Sequence, residues 1–180
     1  MAVVFLDTNI VLWGILGQSK PDQKGMIPKA KYLFEDLSKK HHDVHISSVT
    51  LAEVLCGIPA NKQHIVREAI SKHLMVIPFD TLAAKHYGLL WREMKDNGTY
   101  CVLQEEFSMI RREFVADCMI LGTAISRHAS MLYTNDKKLK KLASQHLEIP
   151  DLPKIPEKML PLPLTPLEQC KESHKKEANL

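Results

Sequence analysis

The sequence predicts an α/β fold in which a parallel sheet is covered by helices on both faces. Two observations lead there. Strand-like runs recur at 2–6, 43–47, 74–79 and 130–134, and the first of them, AVVFL, has the continuous apolar character of a strand buried on both sides. Segments of helical periodicity separate these runs, and strands that alternate with helices return to the same sheet as parallel neighbours. With 180 residues, 45% of them hydrophobic, one globular domain with a sizeable core is the expected organisation.

Taken in order, the first strand leads into a helix from about Thr8 to Leu16. A turn-rich connection, SKPDQKGMIP, follows. Residues 29–39 read as an amphipathic helix that buries Ala30, Leu33, Phe34 and Leu37. The second strand is DVHIS, after which Ser47 or Ser48 can cap the helix VTLAEVLCG, closed by Gly57. A helix near 61–71, a strand LMVIPF and a helix opened by Asp80-Thr81 and ending near Asn97-Gly98 come next. Residues 99–110 match neither period. FVADCMILGTAISRHA, 114–129, is a strong helix, SMLYT a fourth strand and NDKKLKKLASQH a last helix. The domain is expected to span 1–149. From 150 to 180 the composition turns proline-rich, PDLPKIPEKMLPLPLTP, and then polar, as in an extended arm or tail.

Composition narrows the setting. The net charge is +3, and residues 151–180 hold five Lys against five Asp or Glu, so the excess lies in 1–150; this permits a nucleic-acid partner without requiring one. Cysteines at 56, 101, 118 and 170 form no C-x-x-C and no zinc spacing, which points to a reducing, cytoplasmic setting. The apolar N-terminus lacks a basic n-region and is interrupted by Asp7 and Asn9, so it reads as folded protein with no membrane span.

The acidic residues carry the chemistry. Ligands of open parallel sheets bind beyond the carboxyl ends of the strands, where strand order reverses. Asp7 lies there after the first strand, Asp136 lies just past the fourth, and Glu53 lies in the helix after the second. Asp117 falls among Phe114, Val115, Cys118, Met119, Leu121 and Ile125, a helix with little polar face, so its carboxylate needs a partner inside the protein or in a cleft. Each residue also has a local reading: Asp7 and Asp136 as charges at helix N-termini, Thr134 or Asn135 as an N-cap, Thr50-x-x-Glu53 as a capping box. No Lys or Arg in the apolar elements balances all four. Carboxylates gathered without basic partners repel one another unless a hard cation binds, and Mg²⁺ or Mn²⁺ suits oxygen ligands.

The segments FLDTNIVL, ISSVTLAEVL, FVADCMILGTAI and YTNDKKL, in that order over residues 2–149, resemble the four acidic motifs of PIN-domain nucleases, and among them the VapC-type toxins of toxin-antitoxin modules. The resemblance implies a three-layer α/β/α sandwich with a mainly parallel sheet. It further implies a metal-dependent endoribonuclease acting on single-stranded or structured RNA, with Asp7, Glu53, Asp117 and Asp136 as the catalytic quartet around one or two Mg²⁺ or Mn²⁺ ions. Thr8, Asn9 and Thr134 would support them. A homodimer silenced by a small antitoxin protein is implied too, with surplus apolar surface expected on the first helices. The segment at 99–113 and the arm after 150 depart from the compact family pattern.

Basic residues flank the acids: Arg111 and Arg112 before Asp117, and Lys137, Lys138, Lys140 and Lys141 after Asp136. They could guide an RNA backbone, or form an ordinary solvated helix face. HHDVH at 41–45 lacks zinc-enzyme spacing, Asp80 suits an N-cap, and Trp13 suits the core or a dimer surface. Two other functions compete with the ribonuclease. A phosphatase or phosphotransfer domain on a similar sheet would need an aspartyl nucleophile with a neighbouring Asp or a partner Lys, and Thr-Asn after Asp7 argues against it. A catalytically silent PIN-like interaction module would not need four acids.

Overall fold

The computed structural model describes residues 1–156. Its strands are β1 (Val3–Leu6), β2 (Asp43–Ser47), β3 (Met75–Ile77) and β4 (Met131–Tyr133), and its helices α1 (Thr8–Gly14), α2 (Met26–Lys39), α3 (Ser48–Cys56), α4 (Gln63–Ser71), α5 (Thr81–Asp96), α6 (Thr99–Phe107), α7 (Arg111–Ser126) and α8 (Lys137–Ala143). The strands are all parallel in the order β3-β2-β1-β4. Residues 157–180, and with them most of the predicted arm, lie outside the described residues.

The apolar run of β1 explains the three layers. Val4, Phe5 and Leu6 are fully buried, and the period-two alternation of a strand sends them to opposite faces. Phe5 joins a core built with Leu90, Met94, Phe114, Leu121 and Leu142. Val4 and Leu6 join a second core with Ile10, Trp13, Leu33, Leu37 and Ile70. Each face of the sheet thus has its own helical layer, and Trp13 belongs to the core.

Four details differ from the sequence reading. The undecided stretch 99–110 is largely helix: Gly98, at φ 76°, makes the left-handed turn that separates α5 from α6, and α6 packs Tyr100 against Trp91 and Phe114, with ring centroids 6.2 and 4.7 Å apart. Helix α7 starts at Arg111, a turn before its apolar periodicity becomes visible, because its first turn, Arg-Arg-Glu, faces solvent. Ser47 caps α3, its hydroxyl accepting from the Val49 amide at 3.2 Å, so Thr50 is a buried residue within the helix and the capping-box reading fails. Finally, Glu148 bridges Met131 in parallel, with Leu132 donating to the Glu148 carbonyl at 2.9 Å, which extends the sheet beyond β4.

Helices α5 and α7 approach closely at Gly122. A Cβ there would lie 2.9 Å from the Tyr87 amide nitrogen and 3.0 Å from the Ala83 carbonyl oxygen, and backbone cannot move aside as a side-chain tip can. Gly122→Ala is expected to cost about 1–3 kcal/mol by overpacking. Urea denaturation measures it; an unchanged midpoint would mean that the helix pair is slack there.

Candidate active site

The site forms where the sheet order turns back. From β1 the chain proceeds to β2 on one side, while β4 lies on the other, so the carboxyl ends of β1 and β4 flank the crevice in which open α/β sheets bind ligands. The Asp7 amide donates to the Tyr133 carbonyl at 3.0 Å and locks the two ends together. Asp7 is 5% exposed. Its Oδ1 accepts from the Thr8 amide and its Oδ2 from the Thr134 hydroxyl, each at 2.7 Å.

Thr134, 3% exposed, joins two of the acids: its hydroxyl donates to Asp7 and accepts from the Asp136 amide at 3.0 Å. Asp136 in turn caps α8, its Oδ1 accepting from the Lys138 amide at 2.7 Å. Asp7 and Asp136 do stand at the N-termini of α1 and α8, as the caps themselves, so neither Thr134 nor Asn135 caps α8, and this local role coexists with their place in the cleft. Glu53 reaches the same cleft from α3, where its Oε2 accepts from the Thr8 hydroxyl. Asp117 comes from α7, which is anchored to the sheet by the Ser47 hydroxyl donating to Thr123 Oγ1 at 3.2 Å.

A cleft of about 240 Å³ is lined by Asp7, Thr8, Asn9, Glu53, Glu113, Asp117, Asp136 and Lys138. All four predicted acids meet there, with Thr8 and Asn9 beside them and Thr134 behind Asp7. The electrostatic consequence is large. Burial pushes the Asp117 carboxyl up to about 8, and the charges of Asp7, Asp136 and Glu53 push in the same direction against a smaller opposing effect of Lys138. Burial also raises Asp7 to about 6, although the bonds from Thr134 and Thr8 restrain it. These groups need positive charge that the protein does not supply in full.

Among the described residues, no group of three His, Cys, Asp or Glu side chains is already arranged to hold a metal ion. The donor set still fits a hard divalent cation: it is made of oxygens alone, from four separate elements, and burial together with the neighbouring acids disfavours the ionised Asp117 that a cation would stabilise. Asp7, Asp117, Asp136 and Glu53 are the residues that could hold one.

The family model described as PIN domain matches residues 4–145. The chain belongs to the PIN domain family. Among solved structures, this PIN domain is similar to a chain of the DNA-bound VapBC from Salmonella typhimurium, with TM-score 0.60, 24% identity, and coverage of 84% of this chain and 99% of that one. VapBC2 from Rickettsia felis, bound to a DNA fragment from its promoter, gives TM-score 0.59 at 22% identity, covering 83% of this chain and 98% of the other. VapBC-1 from nontypeable Haemophilus influenzae gives 0.56 at 18%, covering 83% and 98%. These likenesses show a shared fold, the three-layer α/β/α sandwich. No curated protein matches the chain.

The basic residues of this PIN domain divide sharply. Lys138 lines the cleft. Arg111 instead lies over the Trp91 ring, 5.8 Å from its centroid, and Arg112 and Lys137 are exposed outside the cleft lining. Lys140 and Lys141 pair with Asp151 and Glu106, each at 2.7 Å, as a solvated helix face would. Glu113 is the cleft residue that sequence reasoning missed. Its signal was available: it precedes Asp117 by four residues, which puts both carboxylates on one face of α7.

The decoys resolve as structural. Asp80 caps α5 through the Ala83 amide at 2.9 Å and pairs with Arg127, and the Ala83 bond helps hold its carboxyl below the ordinary range. In the histidine tract, His42 Nδ1 accepts from the Ala2 amide at 3.1 Å, and His45 stacks near Phe5 with its pKa lowered by burial. No helix among the described residues is long and apolar enough to cross a membrane.

Proposed function

We propose that this PIN domain is a Mg²⁺- or Mn²⁺-dependent endoribonuclease that hydrolyses phosphodiester bonds of single-stranded or structured RNA, and that it is the VapC-type toxin of a toxin-antitoxin pair. The observation that carries the reading is the convergence of Asp7, Glu53, Asp117 and Asp136 in one cleft, where burial first and then the charges of the other three acids raise Asp117 to about 8. The arrangement suits catalysis better than stability, since it gathers like charges in a partly buried place.

Asp7, Asp117 and Asp136 would be direct or water-bridged ligands, and Glu53 would orient the attacking water or help hold a second ion. A bound divalent ion would supply an acidified water and offset charge on the phosphate oxygens. The protein's own part is positional. Thr134 fixes the Asp7 carboxylate and the Asp136 backbone relative to one another, and Thr8 holds Glu53 towards Asp7. Because water is the nucleophile and no 2'-hydroxyl attack is needed, the products would carry 5'-phosphate and 3'-hydroxyl ends.

The phosphotransfer alternative is weakened by the Thr8-Asn9 pair that follows Asp7 and not by geometry, since the single hydrogen bond accepted by each Asp7 oxygen leaves a lone pair free. An intact acidic cleft disfavours a silent module.

An antitoxin partner belongs to the same proposal, supported by the VapBC complexes whose fold the chain shares; the homodimer rests on the family resemblance alone. Among the described residues, the exposed large apolar side chains do not lie on the first helices, as the sequence suggested, but at Met1, Ile65 of α4, Met75 of β3, Leu82 and Leu89 of α5, and Ile110. Residues 1–149 would be the catalytic unit. A cytoplasmic setting agrees with Cys56, Cys101 and Cys118 being free thiols. The test is incubation of the purified protein with single-stranded RNA in Mg²⁺ or Mn²⁺, with a chelator control. Cleavage that stops in chelator and leaves 5'-phosphates is expected; full activity in chelator, or cyclic phosphate ends, would rule the reading out.

A further inference from the structure

The cleft contains one cation among its lining residues, and that cation is held. Lys138 Nζ lies 2.6 Å from Glu113 Oε2, with the two side chains 23% and 44% exposed. The pair joins α8, which begins just after Asp136, to the first turn of α7, which carries Asp117. We propose that Glu113 is a positioning residue that keeps the Lys138 ammonium at the rim of the acidic cleft, off Asp117 and Asp136, and so presents it to a phosphate of the RNA backbone. This rests on the ribonuclease reading above.

Three features support the assignment. The pair is not needed to fasten α8, which is already anchored by Leu139, Leu142 and Ala143 at 1%, 0% and 0% exposure, and a half-exposed ion pair contributes only about 0–1 kcal/mol. Next, lysine is a compact charge on a flexible stem, and the Lys138 amide is bonded to Asp136 itself. Without Glu113, the acids left around its ammonium are Asp136 and Asp117, and an ammonium drawn to them would occupy the place of a divalent ion. Last, a cleft lined by five carboxylates and one cation repels a polyanion unless that cation faces the approaching strand. The neighbouring Lys140 and Lys141 spend their charges on Asp151 and Glu106, away from the cleft.

The experiment uses full-length wild type, Glu113→Gln, Lys138→Met, Lys138→Arg and the double variant Glu113→Gln/Lys138→Met. Mn²⁺ binding is read by calorimetry, and KM and kcat are read on a single-stranded RNA over a range of KCl. Glu113→Gln should weaken Mn²⁺ binding by roughly three- to fivefold, the range of a partly exposed charge pair, and Lys138→Met should match or exceed wild type. The double variant should behave as Lys138→Met, since there is no ammonium left to misplace. Lys138→Met should raise KM more than it lowers kcat, and the slope of log KM against log salt should fall by about 0.7, the loss of one phosphate contact on a single strand; Lys138→Arg should keep the slope. Equal weakening of Mn²⁺ binding by Glu113→Gln with and without Lys138 would overturn the proposal and make Glu113 a metal ligand. An unchanged KM and salt slope in Lys138→Met would also overturn it. Wild type that neither binds Mn²⁺ nor cuts RNA would remove the ribonuclease reading, and this inference with it.

Discussion

Asp117→Asn is expected to reduce RNA cleavage by more than about 100-fold, beyond the 10- to 100-fold that loss of a mere outer partner of a metal ligand costs, while the metal-free protein keeps or gains stability. The side chain keeps its volume and part of its hydrogen bonding but loses the charge. In the native fold that charge is opposed first by burial and then by Asp7, Asp136 and Glu53. Removing it should leave the melting temperature in chelator near neutral pH level or higher, by at least about 1 kcal/mol in stability, with the gain shrinking as the pH falls towards 4. A scaffold carboxylate with a fixed cationic partner behaves in the opposite way, because breaking a buried pair strands a charge and costs roughly 3–5 kcal/mol. An Asn variant that melts far lower yet still cuts RNA would move Asp117 from the site to the scaffold.

The second large effect is on pH. From an ordinary value of 3.8, the folded protein raises Asp7 to about 6 and Asp117 to about 8. Between about pH 4 and pH 8 the native state therefore binds more protons than the unfolded chain, and stability is fully present below pH 4 for these groups and is lost as pH rises through the native values. The expected slope is roughly 1.4 kcal/mol per pH unit for each carboxyl that the fold keeps protonated, ending for Asp7 near pH 6 and for Asp117 near pH 8. Urea melts in chelator at intervals from pH 5 to 8 should show the decline. Divalent ions favour the ionised carboxylates, so the stabilisation by Mn²⁺ should grow over the same interval. If metal-free stability were flat from pH 5 to 8, or rose, the buried acids would have to be balanced by charge that the cleft does not contain.

How much of this was legible follows from what a sequence pattern encodes. Periodicity and polarity are local, and they sufficed for the alternation of strands and helices, for the burial of β1 on both faces, for Asp80 as a cap and a serine cap at 47 or 48, and for the anomaly of Asp117 in an apolar helix. They failed where local signals were weak or mixed: α6 depends on Tyr100 meeting Trp91 and Phe114, and the first turn of α7 faces water, so neither displays a period of its own. The acids themselves could be named from the sequence, but their meeting could not be derived from it without a family pattern. Thr134 donates to a carboxylate 127 residues away, and that contact exists because parallel strands in the order β3-β2-β1-β4 place the ends of β1 and β4 side by side. The sequence by itself determined which residues bear charge and which segments must be buried. Only the tertiary structure decided that Asp7, Glu53, Asp117 and Asp136 share one cleft, that Lys138 enters it while Lys140 and Lys141 turn away, and that Glu113 holds Lys138 there. The physical reason is that a side chain's electrostatic environment is set by neighbours brought near through packing, and packing is a property of the whole chain.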